Sequence, residues 1–237
     1  MLKRIPFETL YTADHGWLKS RFHFSFADYY DSNNINYGVL RVMNDDIVQA
    51  KSGFGKHAHN DMEIITYVIS GKLSHEDSMS NRESLSRGDI QYLSAGSGIT
   101  HSEMNDSDES VHFIQTWIVP QIKGLTPQYG SKTFSLEERK NKWLHLVGPR
   151  DSGAKINIYQ DSSMYACEID NTNRLSFNLK SGRQLYVKVM EGSANINGVL
   201  LKEGDAAEVE DENLNVEAVS NAHLLLVEMK KETKHEL

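Results

Sequence analysis

A chain of 237 residues, 39% hydrophobic and 24% charged, has room for one large or two small globular domains with substantial cores. Its formal net charge of −8 is spread along the chain, and no Lys/Arg cluster marks a phosphate-tracking surface, so direct nucleic-acid binding is not expected. Cys167, the only cysteine, rules out an intramolecular disulfide or a cysteine-based zinc site. The opening MLKRIPFETLY lacks the apolar segment of a secretory signal and no run approaches the ~20 apolar residues of a membrane span, so a cytoplasmic, non-membrane protein is expected.

Phe22, Phe24 and Phe26 alternate with polar residues and predict a strand with one aromatic face. Residues 38–43 predict a strand, Asn44-Asp45-Asp46 a turn, and residues 47–50 a resumed apolar pattern. Gly53 and Gly55 bracket Phe54 just before His57, where backbone freedom would help aim side chains. Residues 63–69 read as a strand apolar on both faces, and residues 78–86 as a polar loop or edge. Residues 90–93 follow the turn Gly88-Asp89, and Gly96 and Gly98 predict a compact turn before His101.

Residues 111–119 form another predicted strand, with Gln115 among bulky apolar neighbours. Gln115 needs a partner, either a backbone group or a metal-ligating carboxylate or imidazole. Residues 120–134 read as a crossing linker. Ser135 with Glu138 fits a capping box that opens a short helix. In the second half, residues 184–190, 214–219 and 224–229 predict strands, Asn197-Gly198 a hairpin turn, and Gly204-Asp205 echoes Gly88-Asp89. The expectation is an all-β chain of antiparallel sandwiches or barrels.

The chemistry concentrates in residues 53–105. In an extended segment His57, His59 and Glu63 share parity and point to one face, as do His101 and Glu103. Imidazole and carboxylate together suit a divalent first-row metal. One ion that must also bind substrate seldom takes five protein ligands, so one of the five should lie outside the coordination sphere. The parity of Glu63 continues through Ile65, Tyr67 and Ile69, which would set an apolar cavity beside the ion.

The pattern H-x-H-x3-E, then G-D with H-x3-N downstream, resembles the paired motifs of the cupin superfamily. Residues 54–59, 61–71, 94–104, 115–120 and the opening HGWLKSRFHFSFADYYD are similar to the N-terminal cupin of the pirin family, above all to bacterial pirin-like quercetin dioxygenases. Ser94, where many cupins have proline, and the long run to His101 also match pirins. The resemblance implies a bicupin: two antiparallel jelly-roll β-barrel domains in tandem, joined by a short helix. Residues 1–130 would be the metal-binding cupin and 131–237 a degenerate one.

The same resemblance implies His57, His59, His101 and Glu103 as ligands of one divalent metal cation, iron first, with nickel, cobalt, manganese, copper or zinc also compatible. Glu63 would stay outside the shell. Glu103 becomes the first candidate for catalytic proton acceptor and Glu63 the second. In the second domain, matching glycines sets Asn178, Lys180 and Gln184 where His57, His59 and Glu63 stand, and Glu217 and Val219 where His101 and Glu103 stand, so no metal site is expected there. The implied activity is flavonol cleavage with dioxygen and loss of carbon monoxide, by a monomer. The alternative is a non-enzymatic, metal-dependent redox-sensing regulator that binds a protein partner.

Overall fold

The computed structural model describes residues 1–231. In chain order the strands are β1 (Leu2–Ile5), β2 (Tyr11–Asp14), β3 (Leu18–Phe22), β4 (Leu40–Val48), β5 (Ser52–His59), β6 (Glu63–Ser70), β7 (Leu73–Asp77), β8 (Arg82–Leu85), β9 (Ile90–Ser94), β10 (Ile99–Asn105), β11 (Val111–Ile118) and β12 (Gln128–Lys132). One helical turn, α1 (Leu136–Arg139), follows. The expected capping box forms there, with Ser135 N–H donating to Glu138 Oε2 at 3.0 Å. Then come β13 (Leu144–Pro149), β14 (Ile156–Ile158), β15 (Ser162–Ile169), β16 (Arg174–Phe177) and β17 (Arg183–Glu191). The chain continues with β18 (Ser193–Ile196), β19 (Val199–Lys202), β20 (Ala206–Glu210), β21 (Leu214–Ala218) and β22 (Ala222–Lys230). No helix among the described residues is long and apolar enough to cross a membrane.

The chain forms two compact units. The N-terminal unit comprises Tyr11–Phe134 with Ile158–Gln160; the C-terminal unit comprises Met1–Leu10, Ser135–Asn157 and, among the described residues, 161–231. Each is built on a seven-stranded and a four-stranded antiparallel sheet. In the N-terminal unit the orders are β12-β9-β6-β11-β4-β3-β2 and β5-β10-β7-β8; in the C-terminal unit they are β1-β20-β17-β22-β15-β13-β14 and β16-β21-β18-β19. Against an expected first domain beginning at residue 1, Met1–Leu10 sits in the C-terminal unit. There β1 pairs with β20, and Asp205 accepts from Arg4 Nε at 3.0 Å and Phe7 N–H at 2.9 Å.

The C-terminal core holds one large apolar cluster, with Leu185 and Val187 from one sheet meeting Ile196, Leu201 and Val216 from the other. Truncating one such side chain to Ala would cost roughly 2–5 kcal/mol. Cys167 is buried in it, and burial pushes its thiol pKa far up, so it is an inert packing residue. The two units repeat one turn. Asp89 Oδ2 accepts from Ser86 N–H at 2.8 Å and Asp205 Oδ2 from Lys202 N–H at 2.9 Å, while Gly88 and Gly204, both at positive φ, donate to Val68 and Val189.

The N-terminal core differs. Val68, Val111 and Phe113 belong to one apolar cluster, Ile64, Leu93 and Ile99 to another. Between them along the strands lie Thr66, Gln91 and Gln115, a polar layer inside the sandwich. Three expectations are corrected here. Asn44-Asp45-Asp46 is not a turn but the middle of β4, paired on both sides; Ser20 of β3 stands opposite Asp46, and His112 Nε2 donates to Asp45 at 2.6 Å. The aromatic strand stops at Phe22, short of Phe24 and Phe26. A third of the 120–134 linker is β12, whose backbone completes the free edge of β9.

Candidate metal centre

The four-stranded sheet sets the site out row by row. On β10, His101 pairs with His57 of β5 and Asp77 of β7; Glu103 pairs with Phe54 and His75. Three steps on β5 match two on β10, so a bulge at Gly55-Lys56 keeps both Phe54 and the histidines on the inner face. Gly53 is needed for a different reason: its Cα packs so close to β10 that a Cβ would lie 2.3 Å from the Glu103 carbonyl oxygen.

His57, His59 and His101 come together, with ring centroids 4.7, 4.5 and 4.9 Å apart and ligand nitrogens within 4.8 Å of one another. His57 Nδ1 lies 2.8 Å from the Gly55 carbonyl oxygen, to which it donates as the Nδ1–H tautomer, so its Nε2 keeps the lone pair. Both ring nitrogens of buried His101 lack a protein partner. Burial, and then the His101 and His57 rings, depress the pKa of His59 to about 4 despite the nearby Glu103 charge. Burial, then His57 and His75, lowers that of His101 to about 3 despite Asp77. At neutral pH these imidazoles are uncharged and offer lone pairs. Partnerless, buried, converging nitrogens are what a bound cation requires, so the residues fit a first-row metal.

Glu103 is 1% exposed and engaged at both carboxylate oxygens. Its Oε1 accepts from Gln91 Nε2 and, at 3.4 Å, from Thr66 Oγ1; its Oε2 accepts from Gln115 Nε2 at 2.8 Å. The open question about Gln115 is thus answered by the carboxylate, and Trp117 Nε1 donates to Gln115 Oε1 at 3.1 Å. The Trp117 ring stands edge-on to His59 at 4.9 Å and to Phe26 at 5.3 Å, which forms an aromatic wall beside the cluster.

Glu63 is elsewhere. Parity carries over only within one strand, and residues 60–62, with Asp61 at φ 48°, separate β5 from β6. Ile64, Thr66 and Val68 face the interior, so Glu63, Ile65, Tyr67 and Ile69 point to the other face. There buried Glu63 Oε1 accepts from Tyr92 Oη at 3.0 Å and Tyr159 N–H at 2.7 Å, with burial raising its pKa against those bonds. Neither the catalytic role considered for Glu63 nor an apolar cavity along Ile65, Tyr67 and Ile69 is compatible with this placement.

The sequence reading passed over His75. It belongs with His101 and Glu103 to a second group of potential ligands whose atoms lie within 4.8 Å of one another, all three residues 1% exposed. The alternation Leu73-His75-Asp77, with His75 and Asp77 in phase, was the available signal. Among the described residues, both ligand groups lie in the N-terminal unit. In the C-terminal unit Leu214, Val216 and Ala218 of β21 fill the core, while Glu217 faces outward and pairs with Arg174 at 2.9 Å.

Two tandem double-sheet units, one lined inside by a histidine cluster, define a bicupin. The chain matches the Pirin family over residues 6–118 and the quercetinase C-terminal cupin domain over residues 145–229. A Pseudomonas aeruginosa relative, provisionally named a quercetin 2,3-dioxygenase, is 42% identical over 97% of this chain and 100% of its own. Quercetin 2,3-dioxygenase of Escherichia coli K12 is 37% identical over 92% of this chain and 94% of its own. The solved structure of the bacterial pirin YhhW from Escherichia coli in complex with nickel(II) superimposes with a TM-score of 0.92 at 35% identity, covering 98% of this chain and 100% of that one. The chain belongs to the pirin family.

Proposed function

We propose that this chain is a metal-dependent dioxygenase that opens the heterocyclic ring of flavonols such as quercetin with dioxygen and releases carbon monoxide. The observation that carries the reading is the cluster of converging His57, His59 and His101 beside the Trp117 wall. The names of the relatives and the nickel(II) complex of YhhW support it. His57, His59, His101 and Glu103 would hold one divalent ion, iron first among the candidates. When bound, the ion supplies Lewis acidity toward the flavonol hydroxyl and redox access to dioxygen.

The chain's own residues do the rest. The Gly55 carbonyl fixes the His57 tautomer, and Gln91, Thr66 and Gln115 hold Glu103 in one orientation. Oε2 of Glu103 accepts one hydrogen bond where Oε1 accepts two, so Oε2 has the lone pair open to the ion, and it would take the substrate's hydroxyl proton by giving up that contact or the Gln115 bond. Trp117 and Phe26, packed edge to face, offer apolar rings to a fused aromatic ligand and exclude water from it. The test is metal analysis of the purified protein, together with dioxygen uptake and carbon monoxide release on quercetin. Metal-loaded protein that consumes no dioxygen with any flavonol would overturn the proposal.

A further inference from the structure

We infer that the centre gives a cation two overlapping positions: the outer one of the reading above, where His57 and His59 join His101 and Glu103, and an inner one where His75 joins the same two residues. The inference rests on the metal-binding reading above and adds to it a ligand, His75. The register places it: His75 stands opposite Glu103 across the β7–β10 pair, and Asp77 opposite His101.

The hydrogen bonds then fix its chemistry. Asp77 is anchored by the N–H groups of Met79 at 2.8 Å and Asn81 at 3.1 Å and by Asn81 Nδ2 at 2.8 Å. A carboxylate so held can only accept from His75 Nε2, which lies 3.3 Å from Oδ2. The Nε2 nitrogen of His75 is therefore the protonated one, and in the uncharged ring Nδ1 carries a bare lone pair. That nitrogen is buried and has no partner in the protein. Tyr129, stacked on the ring at 4.3 Å and 11°, fixes its plane. A lone pair stranded in the interior is costly unless something fills it. An imidazole steered by a carboxylate on its far nitrogen is also the usual arrangement behind metal-ligating histidines.

With the outer pair removed, the inner group still offers two imidazoles and the Glu103 carboxylate. Removal of the outer pair should then move the ion inward rather than release it. Co(II) is the probe, its visible absorption reporting the ligand set and competition with a chelator its affinity. His57→Ala/His59→Ala should still take up one Co(II), at least tenfold more weakly than wild type and with an altered spectrum. Adding His75→Ala should weaken binding at least another tenfold, whereas His75→Ala alone leaves the outer group able to hold Co(II). Circular dichroism establishes that the variants are folded, and the same comparison with Asn in place of Ala at positions 57 and 59 serves if the Ala pair unfolds.

A folded double variant without Co(II), or a triple variant that binds as the double does, overturns the inner position and leaves the outer centre standing. A wild type that takes up no Co(II) overturns the metal centre and this inference with it.

Discussion

Gly53→Ala tests whether the histidine pair is aimed by a backbone contact. A Cβ on Gly53 would lie 2.3 Å from the Glu103 carbonyl oxygen, 2.7 Å from Met104 Cα and 2.8 Å from Met104 Sδ. Ordinary carbon contacts lie near ~3.5–4.0 Å, so β5 would have to retreat from β10 by about 1 Å. The two nearest obstructing atoms are main chain and cannot rotate aside. Overpacking costs roughly 1–3 kcal/mol, and a rigid obstruction puts this variant near the upper end. His57 and His59 ride on the same strand, so the retreat also draws them from His101. If about 1.4 kcal/mol of the strain appears there, cation affinity falls about tenfold. Gly55 is the control: a Cβ there meets nothing within 4 Å, and Gly55→Ala should change stability by less than about 0.5 kcal/mol. Urea unfolding of metal-free protein and Co(II) titration against a chelator read both effects. If the two variants unfold at the same urea concentration and bind Co(II) alike, the close approach does not position the strand.

Glu103→Gln should weaken cation binding and abolish quercetin-dependent dioxygen uptake together, because an amide is a poor anionic ligand; retention of either removes Glu103 from that role. Glu63→Gln should leave Co(II) affinity unchanged within about threefold, since its carboxylate faces Tyr92 and Tyr159 across the sheet from the cluster; loss of the metal would refute that placement. Asp46→Asn should reveal a pH-dependent cost. Burial chiefly, with the Asp45 and Glu103 charges and against the Ser20 hydrogen bond, pushes the Asp46 carboxyl up to about 7 from 3.8. A folded pKa above the unfolded one means full stability below 3.8 and a loss that grows until the pH passes about 7. The variant should therefore gain on wild type between pH 5 and 7, by at most on the order of 4 kcal/mol, and the gap should then level off; urea midpoints across that range that run parallel would contradict it.

The parts of the site that could be read from the sequence are those confined to one strand. His101 and Glu103 are both on β10, His57 and His59 both on β5, and alternation within a strand is a local property of the backbone. Gln115 was flagged by the same logic, because an amide among bulky apolar neighbours on β11 had to find a polar partner, and Glu103 is that partner. The reading of Glu63 failed where the chain turned. Residues 60–62 reset the phase, and an unbroken count of two from His59 aimed the carboxylate at the wrong face. Asn44-Asp45-Asp46 failed for the opposite reason. Short polar side chains favour turns when only local energetics act, but here Ser20 and His112 on neighbouring strands meet Asp46 and Asp45 inside a paired strand. No local pattern contains that information. His75 lies between these cases: its parity with Asp77 was visible, but its relation to Glu103 depends on which strands pair, and residues 73–77 meet β10 only through the fold. Ligands that share a strand announce themselves, whereas the residues that orient them arrive from across the sheet.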